Sequence, residues 1–502
     1  MIGGGATGLG TAVDAASRGY RTVLLEADDF GRGTSSRSTK LIHGGVRYLA
    51  QGNIALVREA LRERGLLFRN APHLVHDRPF LVPSYQFGAR AYYGLGMWVY
   101  DRLAGRLGIK SSRIVGRAEA TELIPTLETA NLQGGVVYHD GQFDDARLAV
   151  ALVRTVEDLG GVALNGVRVA GLLKTPNGTV RGVRAADDET GEELEVTAKA
   201  VVNATGVFAD DVRRLDDPGS PPMIRPSQGA HVVLDRSFLP GATALMVPKT
   251  DDGRVLFAIP WLDHVVVGTT DTPVSATSTE PRATSDELAF LLRHAARYLT
   301  RDPAPRDVLS VYAGLRPLIS TPGADGRRTS QLSREFAVVT SASGMVTVTG
   351  GKWTTYRRMG EAAIDAAVRA GGLNPRLCVT RELHIHGWVE RPPDGPFAAY
   401  GSDAQALERL VLDDPELGVP LSTSLPYLAA EVVWAARYER ARSVEDVLAR
   451  RTRALFLDAD AAEAAAPRAA ALLAGVLGRD EAWRRRQVED FRALASGYRM
   501  PR

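Results

Sequence analysis

The chain has 502 residues, of which 45% are hydrophobic and 24% charged, and its net charge is +2. This length predicts two or three domains of ordinary globular composition, and a charge so close to neutral excludes a strongly basic nucleic-acid-binding protein. The single cysteine, Cys378, excludes an internal disulfide and a multi-cysteine metal site, so we expect an intracellular protein in which this thiol is passive.

The chain begins with a glycine-rich turn. Met1 and Ile2 lead directly into Gly3, an Ala-rich helix is predicted over residues 9–18, and a buried strand ending in an acid is predicted over residues 21–26. Dinucleotide-binding folds place an apolar strand before such a turn, and we expect only two residues of that strand. Neither a signal peptide nor a run of about 20 apolar residues that could span a bilayer is predicted.

A polar segment rich in Gly, Ser and Thr follows at residues 27–52 and predicts a long functional loop. The next helix is predicted from about Ile54 to Asn70. Residues 85–140 then form an insertion, which contains Tyr92, Tyr93, Trp98 and Tyr100. These aromatic residues indicate either a helix buried in the core or a helix lying on a membrane. The buried location is favoured because it is the more common one.

The rest of the chain alternates between sheet and helix before it becomes wholly helical. Residues 145–206 predict helix, strand, hairpin and strand, and residues 225–271 alternate apolar and polar positions as half-buried antiparallel strands do. A helix is predicted at residues 284–300 and short strands at residues 308–352. Beyond a proline-rich linker, we predict a separate helical domain over residues 390–502.

The first chemical signal is the spacing Gly3-x-Gly5-x-x-Gly8, with Glu26 at the end of the next strand. The glycines let backbone N–H groups approach a pyrophosphate at a helix N-terminus, and the acid can accept hydrogen bonds from a ribose hydroxyl. An acid at this position disfavours NADP, whose additional phosphate it would repel. The motif does not distinguish NAD from FAD.

The second signal lies in the polar loop, which reads GTSSRSTKLIHGGVRY from Gly33 to Tyr48. Such a loop can pass beneath a flat ring, because its small residues leave room for one. Its hydroxyl and ammonium groups would face a pyrophosphate or flavin, and Arg47 and Tyr48 would reach a substrate. The alternative is a solvated surface loop.

The loop resembles the signature of FAD-dependent glycerol-3-phosphate dehydrogenases, whose wider superfamily includes D-amino-acid and sarcosine oxidases. The resemblance continues through four further segments, namely Tyr138–Arg147, Asn203–Gly206, Gly314–Pro317 and Gly350–Arg357. It implies an α/β fold with a Rossmann-like FAD-binding domain, an inserted antiparallel-sheet substrate domain and a helical C-terminal domain. The expected segments are 1–74, 141–219 and 311–385 for FAD, 75–140 and 220–310 for the substrate domain, and 390–502 for the C-terminal domain.

The implied cofactor is FAD. The residues expected to contact it are Gly3, Gly5, Ala6, Thr7, Gly8, Glu26, Thr34, Ser35, Ser36, Lys40, His43, Gly44, Val169, Gly206, Gly350, Gly351 and Lys352. The implied reaction is oxidation of sn-glycerol 3-phosphate to dihydroxyacetone phosphate, with electrons passed on to a quinone.

Oxidation of a secondary alcohol needs a hydride acceptor, a base and, for this substrate, an anion site. The base is expected to be His231, because the resemblance places a histidine beside the flavin there. Arg316 and Lys352 are the other expected catalytic residues, since guanidinium and ammonium groups bind phosphate. The expected substrate-binding residues are Arg47, Tyr48, Thr270 and Arg334.

The resemblance also implies a cytoplasmic protein that lies peripherally on the inner face of the cell membrane. Residues 85–109 and the basic run Arg484–Arg486 are both candidates for that contact. Self-association is left open, and neither nucleic acid nor metal is expected. The alternatives are an oxidase that passes electrons to oxygen, an amine or amino-acid oxidase, and a non-catalytic FAD-binding module.

Overall fold

The computed structural model describes residues 1–50, 52–320 and 335–501, except for the side chains at positions 47 and 50. The helices are α1 (Ala6–Ser17), α2 (Val46–Ala50), α3 (Ile54–Asn70), α4 (Ala89–Ala104), α5 (Arg117–Leu123), α6 (Asp145–Asp158), α7 (Ala209–Asp216), α8 (Ser285–Ala296), α9 (Tyr356–Ala370), α10 (Ala404–Asp413), α11 (Ala429–Tyr438), α12 (Ala454–Leu457), α13 (Ala459–Leu477) and α14 (Glu481–Ser496).

The strands fall into two main sheets and one small one. They are β1 (Val23–Leu25), β2 (Leu41–Ile42), β3 (Val75–Ser84), β4 (Arg113–Val115), β5 (Gly134–Phe143), β6 (Val162–Leu164), β7 (Val167–Lys174), β8 (Val180–Asp187), β9 (Glu193–Thr197), β10 (Val202–Asn203), β11 (Ile224–Asp235), β12 (Ala244–Val247), β13 (Leu256–Trp261), β14 (His264–Gly268), β15 (Thr272–Pro273), β16 (Val308–Ile319), β17 (Phe336–Thr340) and β18 (Val346–Gly350).

The first main sheet carries the glycine turn. β1 pairs in parallel with β6, and β10 pairs in parallel with β18, which β17 extends. Ile2 joins the two halves through parallel bridges to Leu25 and Asn203, so the residue before the turn lies where the first strand of a dinucleotide fold runs. α1 packs on α9 at a close approach, because a Cβ on Gly360 would lie 2.5 Å from the carbonyl oxygen of Gly10.

The second main sheet has ten strands and forms a cap over the first. Its order is β15-β11-β14-β13-β12-β3-β5-β2, with β16 paired to β11 and β4 paired to β5. Neighbours are antiparallel except for β12 and β3. The pairing of β16 with β11 runs from Ile224 opposite Ile319 to Leu234 opposite Val308. The cap therefore reaches residue 319, beyond the expected end at 310.

The aromatic insertion contains α4, and here the favoured interpretation from sequence was wrong in part. Tyr100 and Met97 are buried, at 1% and 3% exposure. Tyr92, Leu95 and Trp98, in contrast, are 69%, 65% and 53% exposed. The aromatic residues of this helix thus lie on two faces, one in the core and one outside.

The core of the helical C-terminal region extends into the cap sheet. Its buried side chains form one cluster with four residues of the cap sheet: Val233, Trp261, Val266 and Tyr312. α3 has the bounds predicted from sequence, and the α/β class with a helical C-terminal region is confirmed. Across the described ranges, no helix is both long and apolar enough to cross a membrane.

Candidate active site

A cavity of about 610 Å³ is lined by residues of both main sheets and of the polar loop. Most residues that the sequence singled out meet there. Those in its wall are Gly3, Gly5, Ala6, Thr7, Glu26, Thr34, Ser35, His43, Tyr48, Val169, Gly206, His231, Thr270, Arg316, Gly350, Gly351 and Lys352. Segments more than 300 residues apart in sequence therefore build one site.

One end of the cavity has the features of a dinucleotide site. α1 begins after Gly5, which has no side chain that could cap it, and the N–H of Ala6 donates to the hydroxyl of Ser35 at 2.9 Å. The partial positive charge of this helix N-terminus is directed at the cavity. Gly3 has φ +101°, and a Cβ there would lie 2.8 Å from the carbonyl oxygen of Ala204. The backbone thus requires glycine at position 3.

Glu26 lies beside this turn. Its carboxylate accepts hydrogen bonds from the backbone N–H groups of Gly4, at 2.5 Å, and Asp28, at 2.9 Å. Burial raises the pKa of Glu26 to about 6. A carboxylate has about four acceptor sites, so the two that remain are available to ribose hydroxyls.

Four of the expected cofactor residues, namely Gly8, Ser36, Lys40 and Gly44, are not part of the cavity wall. A Cβ on Gly8 would lie 1.9 Å from the carbonyl oxygen of Gly3, so Gly8 is required for the packing of α1 on the turn. The N–H of Gly44 donates to the hydroxyl of Tyr100 at 2.8 Å, which is a contact behind the loop.

Among these four residues, Lys40 differs most clearly from its expected position. Its ammonium group is fully buried and donates to both carboxylate oxygens of Asp145, at 3.0 and 2.8 Å, and to the carbonyl of Ser36 at 2.8 Å. The rings of Trp261 and Tyr312 lie 5.3 and 5.1 Å away. Burial lowers the pKa of Lys40 to about 7. Lys40 therefore supports the loop from behind, and the expectation that it faces a pyrophosphate was wrong.

His231 lies in the cavity wall at the other end. Its ring stacks on Tyr312 with 4.6 Å between centroids, and its Nε2 shares a hydrogen bond with the hydroxyl of Thr39 at 2.9 Å. Its Nδ1 is buried, and none of the described residues bonds to it. Burial, followed by the nearby charges of Lys40 and Arg316, holds the pKa of His231 well below its usual value. The imidazole is consequently neutral and able to accept a proton.

Arg316 reaches the same region from β16. It donates to the carbonyl of Thr270 and the hydroxyl of Thr269, both at 3.0 Å, and lies 3.4 Å from a carboxylate oxygen of Asp271. Its side chain is 23% exposed. The guanidinium is thus held in place by the turn after β14 while it lines the cavity.

Lys352 and Tyr48 are brought together although 304 positions separate them. The ammonium of Lys352 lies 4.0 Å from the centre of the Tyr48 ring, which is a cation–π geometry. Arg334 and the side chain of Arg47 lie outside the described part of the chain.

Thr270 was expected to bind substrate, but its hydroxyl is already engaged. It accepts from the N–H of Ala230 at 2.8 Å and donates to Glu287 at 2.7 Å. Glu287 also accepts from Gln228 and Thr272, both at 2.7 Å. Thr270 therefore serves the site through its carbonyl, which receives Arg316, and the role expected for its side chain is corrected.

Among the residues that sequence reasoning missed are Thr39 and Asp271, which line the cavity, and Glu287, which bonds to Thr270 behind it. Thr39 lay within the loop motif and could have been found as one more hydroxyl there. Asp271 and Glu287 become visible only when strand pairing brings β11, β15 and α8 together. An apolar part of the wall was also missed, formed by Phe80, Tyr138, Met246 and Phe257.

The residues present fit FAD. The N-terminus of α1 faces the cavity beside Glu26, whose carboxylate has acceptor sites to spare. The backbone at positions 206, 350 and 351 has φ of +60°, +81° and +67°, which favours glycine, and a Cβ on Gly206 would meet no atom within 4 Å. A flat ring system needs such an open floor, and a pyrophosphate needs such a helix terminus.

Comparisons with known proteins agree with this geometry. Residues 1–357 match the family described as FAD dependent oxidoreductase, and residues 393–484 match the C-terminal domain of alpha-glycerophosphate oxidase. The chain is 42% identical to the mitochondrial glycerol-3-phosphate dehydrogenase of Arabidopsis thaliana, over 94% of this chain and 82% of that one. It is 39% identical to the human mitochondrial glycerol-3-phosphate dehydrogenase, over 98% and 72% of the two chains.

Solved structures give the same result. Glycerol-3-phosphate dehydrogenase from Bacillus halodurans, solved with FAD, superposes with a TM-score of 0.80 at 27% identity, covering 99% of this chain and 94% of that one. L-alpha-glycerophosphate oxidase from Mycoplasma pneumoniae, at 16% identity and a TM-score of 0.57, covers 77% and 98% of the two chains and shares the fold. The cavity, the family matches and these relatives lead to one assignment: the chain belongs to the FAD-dependent glycerol-3-phosphate dehydrogenases.

Proposed function

We propose that the protein oxidises sn-glycerol 3-phosphate to dihydroxyacetone phosphate. The observation that carries this proposal is the meeting, in one cavity, of a neutral histidine, two cations and a dinucleotide turn. A dianionic substrate accounts for Arg316 and Lys352, and an alcohol accounts for His231. The names of the relatives and their coverage of the chain support the same substrate.

Each of these residues has a separate role in the proposed reaction. When bound, FAD supplies a two-electron hydride acceptor for C2 of the substrate. His231 accepts the proton of the C2 hydroxyl, because its imidazole is neutral and in the cavity wall. Arg316 and Lys352 bind the phosphate and so hold C2 in place. Asp271 and the carbonyl of Thr270 orient the guanidinium of Arg316.

The primary test is reduction of the bound flavin under anaerobic conditions, followed as loss of its visible absorbance. Glycerol 3-phosphate should bleach it within the turnover time, whereas glycerol and amino acids should not. Bleaching by amino acids would favour an amino-acid oxidase, and no bleaching by any substrate would favour a non-catalytic FAD-binding module.

The phosphate role has its own test. Arg316→Ala should lower kcat/KM for glycerol 3-phosphate about a hundredfold or more, because a charge-assisted contact to a dianion is lost. The matched control is Arg236→Ala, since Arg236 lies on the same cap and, within the described part of the chain, donates to the carbonyls of its own turn. An unchanged kcat/KM in Arg316→Ala would remove this residue from the phosphate site.

We further propose that a quinone takes up the electrons. The support is the apolar part of the cavity wall at Phe80, Tyr138, Met246 and Phe257, which a small dianion does not need and an apolar ring does. The rival is an oxidase that uses oxygen. A water-soluble quinone analogue should be reduced in step with substrate use. Stoichiometric hydrogen peroxide in air would favour the oxidase.

We also propose that α4 lies on a lipid surface at the inner face of the cell membrane. Its outer face exposes Tyr92, Leu95 and Trp98 beside the exposed cations of Arg90 and Arg102, a combination that fits a bilayer with anionic headgroups. The rival surface at residues 484–486 is less suitable, because α14 also carries acidic residues at positions 481, 489 and 490.

A further inference from the structure

The polar loop that lines the FAD cavity is supported on its outer side by the C-terminal domain. We call residues 28–39 the cofactor loop, because nine of its twelve residues line the cavity. Those in the wall are Asp28, Gly31, Arg32, Gly33, Thr34, Ser35, Arg37, Ser38 and Thr39. Its only regular structure is a single turn of 3-10 helix, at Thr34–Ser36.

Asp29 is the centre of the contact. Its carboxylate receives two hydrogen bonds from Arg451, at 2.5 and 2.8 Å, and one from the Nε of Arg450. The three side chains are nearly inaccessible, at 4%, 0% and 3% exposure. Although burial alone would raise the pKa of Asp29, the two arginines hold it well below its usual range. The carboxylate is therefore charged, buried and paired.

Further contacts lie along the same loop. Arg453 donates to the carbonyl of Ser36 at 2.7 Å. Arg32 lies 3.1 Å from Glu445, and Arg37 donates to the hydroxyl of Tyr498 at 3.0 Å. The cofactor loop is thus bonded to the C-terminal domain at its start, middle and end.

The inner side of the loop reaches the dinucleotide turn. The hydroxyl of Ser35 accepts from the N–H of Ala6 at 2.9 Å, in the first turn of α1. The carbonyl of Ser35 accepts from the indole of Trp353 at 2.8 Å, next to Lys352. A shift of the loop would consequently alter both the helix terminus and the segment that carries Gly350 and Gly351.

We infer that Arg450, Arg451 and Arg453 of the C-terminal domain are positioning residues for FAD, which act by fixing the cofactor loop. The geometry gives the domain a function beyond packing. A loop with so little structure of its own takes its shape from outside contacts, and buried ion pairs supply directional contacts that water cannot replace. The inference rests on the loop lining the FAD site and is independent of which substrate is oxidised.

The test uses the full-length holoenzyme with Arg451→Lys, which keeps the charge and loses the paired hydrogen bonds, and with Asp29→Asn. Release of FAD on dilution is followed by the fluorescence of free flavin. Both variants should raise the FAD dissociation constant about tenfold or more. The FAD dissociation constant of the double variant should exceed that of the weaker-binding single variant by no more than about twofold, because both substitutions remove the same contact.

The matched control is Arg147→Lys. Arg147 on α6 and Glu439 of the C-terminal domain form a buried pair outside the cofactor loop, with hydrogen bonds of 2.8 and 2.7 Å, and Arg147 is not part of the cavity wall. This variant should lower the thermal midpoint as much as Arg451→Lys and leave the FAD dissociation constant within about twofold.

Two results would overturn the inference. One is unchanged FAD release in both Arg451→Lys and Asp29→Asn. The other is an equal loss of FAD in Arg147→Lys, which would mean that any weakening of this interface has the same effect. If both loop variants lose FAD but the remaining bound fraction is still bleached by glycerol 3-phosphate, the inference and the proposed reaction both stand. If FAD release behaves as expected and no bleaching occurs, only the reaction is rejected.

Discussion

The protonation of His231 depends on the surroundings of the ring more than on the imidazole itself. The ring fits between Tyr312 and β14, and a Cβ on Gly268 would lie 2.1 Å from its Cδ2. Its burial and two nearby cations, rather than a carboxylate partner, set its protonation. A histidine in this environment stays neutral down to a lower pH than one in water.

This environment predicts the pH profile of turnover. Since burial, Lys40 and Arg316 lower the pKa of His231, the neutral form persists as pH falls below 6.5. We expect kcat, measured with saturating substrate and an artificial acceptor, to stay constant from pH 8 to about 6.5 and to decline only below that value.

Comparing the pH dependence of kcat with that of kcat/KM separates an ionisation of the enzyme from an ionisation of the substrate. The second ionisation of a phosphate ester lies near pH 6, so kcat/KM should decline there even if kcat does not. A decline of kcat centred at or above pH 6.5 would show that His231 is not the neutral base described above.

At this scale, most of the site residues expected from sequence lie in the cavity wall. Motif residues such as Gly3 and Lys352 were found because their roles depend on local backbone geometry and on charge. Lys40 was misassigned for the opposite reason. It lies inside the motif, but its direction is set by Asp145, 105 positions away, and no local pattern encodes that contact.

At the scale of the element, α4 is the informative case. Aromatic content alone could not decide between core and surface, because the helix has both: Tyr100 faces the core, and Trp98 faces outward. Two positions on a helix correspond to about 200°, which places these residues on opposite faces. On the inner face, the hydroxyl of Tyr100 accepts a hydrogen bond from the N–H of Gly44 in the polar loop.

The outer face predicts vesicle binding. Replacing Tyr92 and Trp98 together with Ser should reduce co-sedimentation with vesicles that contain anionic phospholipid by about tenfold or more, because two large apolar side chains no longer enter the interface. Turnover with a water-soluble acceptor should be unchanged, since neither side chain lines the cavity.

Leu412→Ser is the matched control, because Leu412 is an apolar residue that is even more exposed than Tyr92 and Trp98, at 79%, on α10 of the C-terminal domain. It should leave vesicle binding as it was. Full co-sedimentation of the double α4 variant would place the lipid contact elsewhere on the protein.

At the scale of the whole molecule, the C-terminal domain and the cap share part of one core. A separate helical domain was expected after the proline-rich linker, and its buried cluster also includes Trp261 and Tyr312 of the cap. The change in composition near residue 390 was visible in the sequence. The shared core was not, because it depends on contacts between residues more than 100 positions apart.

His73 adds a pH dependence to this arrangement. It is 2% exposed, and it packs against the linker, since a Cβ on Gly387 would lie 2.9 Å from its Nε2. Burial lowers its pKa from 6.5 to about 4. Between these values the unfolded chain binds a proton that the folded protein does not, so the free energy of unfolding falls as pH drops, by up to about 3 kcal/mol.

The prediction is checked by the thermal midpoint at pH 7 and pH 4.5. His73→Gln, which cannot titrate, should shrink the difference between the two midpoints. His384→Gln, at an exposed position of the same linker region, should not. Equal pH sensitivity in His73→Gln and the unsubstituted protein would assign the acid loss of stability to other groups.

The buried Nδ1 of His231 limits the directions in which a proton can leave the ring. One nitrogen of the imidazole meets the hydroxyl of Thr39 in the cavity wall, and the other is closed off among the described residues. In the proposed reaction, a proton accepted at Nε2 therefore finds no described acceptor behind the ring. It would leave the imidazole on the cavity side, where the product also lies, so we expect bound product to delay the return of His231 to its neutral form.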